Sequence, residues 1–377
     1  MSWIETTLGK SFELYQPKTI TTKDLIEDGK YQVYGANGVI GRYDKFNHEE
    51  PQLLVTCRGA TCGAVNVSSP YAWINGNAMV VKPKSNDIDV RFIEYFFRGA
   101  VDLSRAITGA AQPQITRQSL SPIVFKYPSL SVQKKIISKL DLIFSEIEKA
   151  MSIADANAKN AEALFQSYLS QIFQNSSADW KKTTLDMVCK ITNGSTPKRD
   201  NLKYWEGGTV SWFTIDDIRR FGRVITETTQ HVTQFALEDT SLKILPSNSV
   251  VLCCTASVGE YAIIKKEMAT NQQFNGLTVT DKNLLPEFLF WYSATMKPML
   301  MSVSGKVTID FIPISRLKSL QITFPNLEKQ LEIIEKLNCL DFEIKKVKEK
   351  YLKKKNQLFL LKQAILKKAF NGELVKE

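Results

Sequence analysis

The stretch Trp3-Ile4-Glu5-Thr6-Thr7-Leu8 decides the architecture, because it returns 177 residues later as Trp180-Lys181-Lys182-Thr183-Thr184-Leu185. Further matches follow in the same order at a shift of 196 or 197 residues. They include Cys57 with Cys253, Asn75 with Asn271, Phe92 with Phe288, Gly109 with Gly305, Pro128 with Pro325, Gln133 with Gln330, Leu169 with Leu366 and Phe173 with Phe370. A register kept over this length is typical of an internal repeat. The chain is therefore predicted to contain one unit twice, with about nineteen extra residues in a surface loop at the front of the second copy.

Each copy ends in a pattern that predicts a long helix. The helices start after Pro128 and Pro325, with Ser129 and Asn326 as the N-caps. In the first helix, apolar residues recur at steps of three and four: Leu140, Phe144, Ile147, Met151, Ala154, Ala158, Ala161, Phe165, Tyr168 and Ile172. The second series is Ile333, Leu337, Leu340, Ile344, Val347, Tyr351, Lys354, Leu358, Leu361 and Ile365, in which only Lys354 is out of character. Such spacing predicts a coiled-coil seam on each helix.

The order of the elements predicts how the two helices pair. The second helix begins at the domain where the first helix ended, so the two can pack only if they are antiparallel. Some forty residues at a rise of 1.5 Å per residue make a spacer of roughly 60 Å. The alternative is a seam buried only on its own domain. The predicted divisions are a first domain over 1–128, a spacer helix over 129–174, a second domain over 175–325 and a second spacer helix over 326–377.

Both domains are predicted to be α+β with a β-rich core. Strand-like runs at 53–56, 64–67 and 78–81 have counterparts at 250–252, 261–264 and 277–279. A short apolar helix follows in each domain, at 92–97 and 288–292, and a last strand precedes each long helix.

Composition narrows the class of protein. At 377 residues the chain exceeds what one core usually supports, and its formal charge of +10 favours polyanionic partners such as nucleic acid. No signal peptide or membrane-spanning stretch is recognisable, which predicts a soluble cytoplasmic protein. Six cysteines without a Cys-x-x-Cys pair and only two histidines argue against a zinc site and favour buried, reduced thiols.

Further motifs resemble those of one family, the specificity (S) subunits of type I restriction-modification systems. In the second domain Gly194-Ser195-Thr196-Pro197, Tyr204-Trp205-x-Gly207-Gly208 and Trp212-x-Thr214 resemble one class of target-recognition domain. The first domain instead carries Tyr34-Gly35-Ala36-Asn37-Gly38-x-Ile40-Gly41, which resembles a second class. The helix entrances and the tail at 364–374 are similar to the family's repeated regions.

The resemblance implies a non-catalytic DNA-reading subunit. Each domain would read half of a bipartite site in double-stranded DNA, and because the two domains belong to different classes we expect an asymmetric target. The helices would space the domains and dock two methyltransferase (M) subunits, at Gln133, Ile136, Gln330 and Ile333, and restriction (R) motor-nuclease subunits would join. No cofactor is expected on this chain, since S-adenosylmethionine, Mg and ATP would bind the partner subunits.

Loops that combine basic, amide and hydroxyl side chains with glycine are the candidate DNA contacts. Arginine can fork onto guanine and glutamine onto adenine, whereas lysine mostly holds phosphate. The candidates in the first domain are Arg42, Lys45, Arg58, Gln112, Gln114 and Arg117. Those in the second are Thr196, Lys198, Arg199, Arg219, Arg220, Arg223, Lys306 and Thr308. Any one of them alone is as well explained as a solvated surface residue.

Two other pairs of residues are given structural explanations. Trp205 and Trp212 could stack on bases, but core packing explains them better. Asp216-Asp217 resembles a pair of catalytic carboxylates, but a helix start facing Arg219 and Arg220 explains it better.

The sequence contains no methyltransferase, phosphate-loop or zinc-protease motif, so no catalytic or metal-binding residue is assigned. Two alternatives remain open. The chain could be a structural coiled-coil scaffold that binds only proteins, or a cryptic nuclease.

Overall fold

The computed structural model describes residues 3–109, 112–174, 179–255, 257–304 and 312–375. The chain divides into two units, one comprising Met1–Ala156 with Tyr351–Glu377 and the other Asn157–Lys350. Each unit therefore holds one globular domain together with a part of each long helix. Within the described residues, no helix combines the length and the apolar character needed to span a membrane.

Short strands and short helices form the first domain. Its strands are β1 (Ile4–Thr7), β2 (Phe12–Tyr15), β3 (Tyr31–Gly35), β4 (Gly38–Tyr43), β5 (Leu53–Thr56), β6 (Val65–Val67), β7 (Trp73–Ile74), β8 (Ala78–Pro83), β9 (Ile107–Thr108), β10 (Gln114–Ile115) and β11 (Val124–Tyr127). Its helices are α1 (Leu8–Ser11), α2 (Val90–Tyr95) and α3 (Arg117–Leu120), and the long helix α4 (Leu130–Gln174) follows. An antiparallel sheet in the order β2-β8-β5-β6 packs on a smaller sheet in the order β4-β3-β7.

The central strand β5 is apolar at successive positions because both of its faces are covered. Leu53 and Val55 lie in the main core with residues of α2 and α4, whereas Leu54 lies in a smaller core with Tyr34 and Ile74. A strand buried on both faces is expected to read as a continuous apolar run rather than an alternating one.

The second domain repeats this plan. Its strands are β12 (Lys181–Thr184), β13 (Cys189–Asn193), β14 (Val210–Phe213), β15 (Val224–Ile225), β16 (Gln230–Val232), β17 (Val250–Cys253), β18 (Tyr261–Ile264), β19 (Ala269–Thr270), β20 (Phe274–Val279) and β21 (Gln321–Phe324). Its helices are α5 (Leu185–Val188), α6 (Ile215–Phe221), α7 (Gln234–Asp239), α8 (Pro286–Ser293), α9 (Met296–Ser304) and α10 (Ile314–Lys318), and the long helix α11 (Leu327–Phe370) follows. The pair β12–β21 corresponds to β1–β11, and β17 corresponds to β5. The predicted α+β repeat is confirmed.

The extra residues of the second copy form ordered elements rather than the expected loop. Residues 36–52 separate β3 from β5, whereas residues 214–249 separate β14 from β17. The longer segment contains α6, β15, β16 and α7, and β15 pairs in parallel with β18 at the edge of the main sheet. The expectation of a loop was wrong because the insertion supplies its own apolar residues, such as Ile218 and Ile225, to a core.

The long helices α4 and α11 pack antiparallel, as predicted. Ion pairs join them in the first unit between Lys355 and Asp155 (2.7 Å) and between Lys362 and Glu148 (3.0 Å). In the second unit Lys348 pairs with Glu162 at 2.9 Å. Each step of seven residues along α11 is matched by seven residues back along α4, which is the repeat of an antiparallel coiled coil.

The predicted seam of α11 needs one correction near its end. Leu358 is buried, but Leu361 is 47% exposed, and the buried face continues through Leu366 and Ala369. A strict spacing of 3.5 residues predicts that Leu361 lies on the buried face. An α-helix has 3.6 residues per turn, so the contacting face moves forward along this last stretch. Lys354, which interrupts the apolar series, is exposed.

The two helix starts differ in their capping. The side chain of Asn326 accepts a hydrogen bond from the backbone N–H of Lys329 (2.9 Å), as an N-cap does. The hydroxyl of Ser129 instead bonds the hydroxyl of Ser131, and only the Ser129 carbonyl accepts from the first turn of α4. The predicted side-chain cap is therefore present at Asn326 and not at Ser129.

Candidate nucleic-acid interface

Two buried glutamines fix each domain on the start of its long helix. Gln133 is fully buried, accepts from the backbone N–H of Asp89 (2.9 Å) and donates to the carbonyls of Asp87 and Pro128 (2.8 Å each). Gln330 makes the same three bonds, accepting from the N–H of Leu285 (2.8 Å) and donating to two carbonyls. All hydrogen-bonding groups of both amide side chains face their own domain.

This arrangement corrects the assignment of partner contacts to the helix entrances. Gln133 and Gln330 are buried, and Ile136 and Ile333 lie in the two main cores. None of the four has surface left for another subunit, because the same positions join the helix to its own domain.

In the first domain, two chain segments bring candidate residues to one place. Arg58 and Gln114 form an antiparallel bridge, with hydrogen bonds from Ile115 N–H to the Cys57 carbonyl (2.9 Å) and from Gly59 N–H to the Pro113 carbonyl (3.2 Å). Gly59 takes a positive φ of 87°, which suits glycine. Arg58, Gln112 and Gln114 are exposed along this bridge.

The other candidates of the first domain lie elsewhere. Arg117 is the exposed first residue of α3, one turn beyond the bridge. Arg42 and Lys45 lie on and just after β4, in the smaller sheet. The guanidinium of Arg42 donates to the carbonyls of Gly29 and Lys30, so part of its capacity is used inside the domain.

In the second domain, the loop that begins at Gly194 is held tightly against β19 and the turn after it. A Cβ at Gly194 would lie 2.0 Å from the carbonyl oxygen of Asn271, which only glycine avoids. The indole N–H of Trp212 donates to the Ser195 carbonyl (3.1 Å), and that of Trp205 donates to the Lys198 carbonyl (3.0 Å). The two tryptophans therefore hold the backbone of the loop in place, and Trp212 is buried as predicted.

Arg199 is the most firmly oriented of the exposed candidates. Its guanidinium lies 3.9 Å from the ring centre of Trp205 and 4.6 Å from that of Trp212. One terminal N–H donates to the side-chain oxygen of Gln230 at 2.8 Å. Within the described residues that is its one hydrogen bond, so the other N–H groups of the fork remain available.

Sequence reasoning missed two amide side chains beside this loop. Gln230, on β16, holds Arg199, and Gln272, in the turn after β19, accepts a hydrogen bond from the hydroxyl of Thr196. Neither residue lies in a recognisable motif. They reach the loop only because β14 pairs with both β16 and β19, a tertiary arrangement that no local pattern reports.

The remaining candidates of the second domain are dispersed. Lys198 is exposed next to Arg199, and Arg220 lies over the ring of Phe221. Arg219 forms an ion pair with Asp216 at 2.9 Å. Arg223 pairs with Glu260 (2.9 Å) and lies over the ring of Tyr261, so it is engaged within its own unit. Lys306 and Thr308 lie outside the described residues.

The acidic pair at the start of α6 is structural. Asp217 is fully buried; its side chain accepts from the backbone N–H of Thr214 (2.7 Å), closing a capping box, and from the backbone N–H and hydroxyl of Thr229 (2.7 and 2.8 Å). Asp216 pairs with Arg219. A carboxylate whose oxygens are all used in this way is not placed for acid–base chemistry.

The electrostatics near these loops do not activate a nucleophile. Burial raises the pKa of Cys57, beside Arg58, to about 11, and raises the pKa of Cys254 to about 11. Burial also lowers the pKa of His48, whose ring bonds Tyr15 and Asn47. Across the part of the chain that the structure describes, no three acidic, histidine or cysteine residues group into a metal site.

Comparison with known families identifies the family of this chain. The pattern described as "Type I restriction modification DNA specificity domain" matches twice, at residues 2–154 and 177–354. Those matches cover most of the chain and repeat at the period of the duplication. The chain belongs to this family. Each match covers one globular domain and the first part of the long helix that follows it.

Curated relatives carry matching names. The chain is 30% identical over 181 residues to the type I restriction enzyme MjaIX specificity subunit of Methanocaldococcus jannaschii, covering 47% of this chain and 41% of the relative. It is 24% identical over 222 residues to the EcoR124I/EcoR124II specificity subunit of Escherichia coli, covering 56% and 52%. These matches span about half of each curated relative or less.

Solved structures share the fold of the specificity domains over the whole chain. One is a chain from a structure described as the basis of complex assembly and conformational transition of the type I R-M system, with a TM-score of 0.76, 18% identity and coverage of 99% of this chain and 98% of that chain. Another is the HsdS subunit of Thermoanaerobacter tengcongensis, with a TM-score of 0.56, 17% identity and coverage of 99% and 97%. The likeness establishes the fold of the two-domain, two-helix chain.

Proposed function

We propose that this chain is the DNA specificity subunit of a type I restriction-modification complex. The observation that carries the proposal is the duplicated specificity domain, in which each copy presents exposed basic and amide side chains on loops. In the first copy these include Arg58 and Gln114, and in the second Lys198 and Arg199. Forked arginine and planar amide groups are the side chains that read base edges, and lysine binds phosphate.

The two domains should read different half-sites. The first domain carries the hairpin of β3 and β4, whereas the second carries the inserted segment with α6 and α7. The exposed candidate residues also differ, with amides beside Arg58 in one domain and a tryptophan-stacked arginine in the other. We therefore propose an asymmetric bipartite target in double-stranded DNA.

The helices would set the gap between the half-sites. Half-sites about 34 Å apart lie on one face of the duplex, one helical turn from each other. The 45 residues of α4, at about 1.5 Å each, provide the necessary length. We assign residues 1–128 and 175–325 as target-recognition domains, and residues 129–174 and 326–377 as the spacers.

Docking of two methyltransferase subunits would use the outward faces of the helices. Helix α4 exposes Leu142, Ile153 and Leu164, which follow one another at intervals of eleven residues, or three turns, and so share one face. Helix α11 exposes Leu331 and Phe342 at the same interval. Their common face is the side of each helix along which another subunit would pack.

Catalysis would reside on other subunits. We propose that this chain is not itself an enzyme, that S-adenosylmethionine, Mg and ATP bind the methyltransferase and restriction subunits, and that the complex acts in the cytoplasm. The engaged carboxylates of α6 and the raised pKa values of Cys57 and Cys254 support a non-catalytic role for these residues.

Mapping of adenine methylation after co-expression with the cognate methyltransferase subunit tests the proposal. We expect methylation at one two-part sequence with a fixed gap. Replacing Gln114 should relax one half-site, whereas replacing Lys306 should weaken binding to all sequences alike and reduce the salt slope by about one.

The alternatives predict other outcomes. A protein-only scaffold would leave the assembled complex without sequence-selective, salt-dependent DNA affinity. A nuclease would cut DNA as purified chain with magnesium alone. Either result would refute the proposed function.

A further inference from the structure

We propose that Asn37, at the tip of the β3–β4 hairpin, reads an adenine in the half-site of the first domain, and that Asn66 is the positioning residue that orients its amide. The inference rests on the proposed function, since it names a base-reading residue within the first specificity domain. It is carried by the contacts of the hairpin tip at residues 36–38, which holds none of the candidate DNA contacts named from the sequence.

The hairpin presents an exposed tip at the outer edge of its sheet. Strand β4 is the outer strand of the sheet β4-β3-β7, and the connection to β3 consists of Ala36 and Asn37, followed by Gly38 at a positive φ of 98°. Asn37 is exposed at this tip. Side chains at such a tip can enter the major groove of DNA, where each base pair shows a distinct pattern of donors and acceptors.

The tip is fixed beside the candidate contacts of the same domain. The hydroxyl of Thr56, which is fully buried at the end of β5, donates to the carbonyl of Ala36. Thr56 is two residues before Arg58, which bridges to Gln114. One buried side chain thus connects the hairpin tip to the strand that leads into the Arg58–Gln114 bridge, so both can meet one stretch of duplex.

The amide of Asn37 is held in one orientation. The side-chain nitrogen of Asn66, a residue of β6 that pairs with Leu54 of β5, donates to the side-chain oxygen of Asn37 at 2.9 Å. That bond uses one of the two acceptor positions of the oxygen and none of the N–H donors. One acceptor and two donors remain, and an amide offering both matches the N6 amino group and N7 of adenine.

The residues that follow the tip favour base edges over phosphates. Val39 is 50% exposed and Ile40 is 45% exposed on the strand that follows the tip. Apolar groups gain nothing from a phosphate, but they contact the methyl group of thymine in the major groove. Because adenine pairs with thymine, contacts with an adenine edge and with a thymine methyl group both favour an A·T base pair.

The test uses the assembled complex with its methyltransferase subunits and duplexes carrying the mapped target with single substitutions in each half-site. Asn37→Ala should reduce the preference for adenine at one position of one half-site by about five- to a hundredfold and leave the other half-site unchanged. Asn37→Ser, which keeps a turn-forming residue, should do the same if the alanine variant does not fold.

Variants of Asn66 provide a second measurement, the base preference at the same position, which would not change if Asn66 only stabilised the fold. Asn66→Asp replaces the donor by an acceptor, which draws the nitrogen of Asn37 toward it and reverses the amide, so the adenine preference at the same position should be lost while the thermal midpoint stays unchanged. Asn86→Ala is the matched control, because Asn86 is an exposed asparagine of the same domain in the segment before α2.

The outcomes separate the two hypotheses. If the Asn37 variants fold and keep the full preference at every position of both half-sites, the inference is overturned and the proposed function stands. A wild-type complex without any sequence preference would remove the proposed function itself. Loss at the same single position in the Asn37 and Asn66 variants, with Asn86→Ala like wild type, is the expected result.

Discussion

Arg199 illustrates how a surface side chain acquires a single orientation. A free arginine has many rotamers, and ordering it on binding DNA costs about 0.5–1.5 kcal/mol. Here the guanidinium lies over the rings of both Trp205 and Trp212 and donates to Gln230 before any ligand is present. The preorganised fork can therefore direct its free N–H groups at a base with little further loss of entropy.

Replacement of Arg199 should change recognition of one half-site only. We expect Arg199→Ala to weaken discrimination at one base pair by about 1–3 kcal/mol, and Arg199→Lys to restore charge without the forked geometry. Competition binding against substituted duplexes measures this. Lys282→Ala, an exposed cation beside the start of α8, is the control. A loss in Arg199→Ala that is the same at every sequence and is restored in Arg199→Lys would mean phosphate binding instead.

Gln133 and Gln330 should matter for stability rather than for a partner. Removing either amide leaves three buried or partly buried backbone groups without their partner, so Gln133→Ala and Gln330→Ala should each lower the free energy of unfolding by about 2–4 kcal/mol. Chemical denaturation checks this, with the exposed Gln166→Ala as the control, expected within about 0.5 kcal/mol. A loss of methyltransferase binding at full stability would restore the original assignment.

At the scale of the elements, the end of α11 distinguishes the observed seam from a strict heptad. Leu358→Ala should destabilise the protein by about 2–4 kcal/mol, because Leu358 is buried against the first unit's core. Leu361→Ala should change stability by less than about 0.5 kcal/mol, because its side chain is half exposed. Thermal or denaturant unfolding of the two variants provides the comparison, and the reverse order of losses would support the heptad register.

The spacer role is testable by changing the length of both helices together. Seven residues inserted after Ala156 and seven after Lys350 preserve the pairing of Lys355 with Asp155 and of Lys348 with Glu162 on either side. The insertion adds about 10 Å, close to three base pairs. Methylation mapping should show a longer gap between unchanged half-sites. An unchanged gap would contradict the ruler, and seven residues added to one helix alone should disrupt the pairing.

At the scale of the whole molecule, the two units contain the same aromatic contacts between the end of a long helix and a globular domain. In the first unit Phe370 of α11 packs on Phe92 (ring centres 4.7 Å apart), which also faces Trp3 (6.3 Å). In the second unit Phe173 of α4 packs on Phe288 (5.5 Å), which also faces Trp180 (6.0 Å). Phe173 and Trp180 are joined by the short segment of chain between them. Phe370 and Trp3 both pack on Phe92, but no such segment joins them.

A circular permutant should therefore fold and read the same target. The variant joins residue 377 to residue 1 through a short flexible linker and opens the chain between residues 176 and 177. The new linker then connects α11 to the first domain in the way that residues 175–179 connect α4 to the second domain in the parent chain. We expect a thermal midpoint within a few degrees of the parent, and an unchanged methylation motif. A permutant with only one specificity domain folded would show that the two connections are not equivalent.

Much of the plan was readable from local patterns because those patterns depend on short-range geometry. The 3.5-residue spacing from Leu140 to Ile172 predicted a helix and its packed face, and the apolar run Leu53–Thr56 predicted a buried strand. The repeated Trp-x-x-Thr-Thr-Leu motif predicted two equivalent domains. Each of these features involves neighbours that lie within one or two turns of helix or within one strand.

By itself, the sequence determined that the chain is a duplicated α+β unit with two long antiparallel helices, because periodicity and repetition are properties of the linear order. Only the tertiary structure decided that Gln133 is buried, that Gln230 holds Arg199 and that Asn66 orients Asn37. Strand pairing and loop anchoring bring together partners that are far apart in sequence, such as Asn37 and Asn66, which are 29 residues apart. The physical reason is that a hydrogen bond depends on the final positions of two groups, and local spacing constrains only one of them.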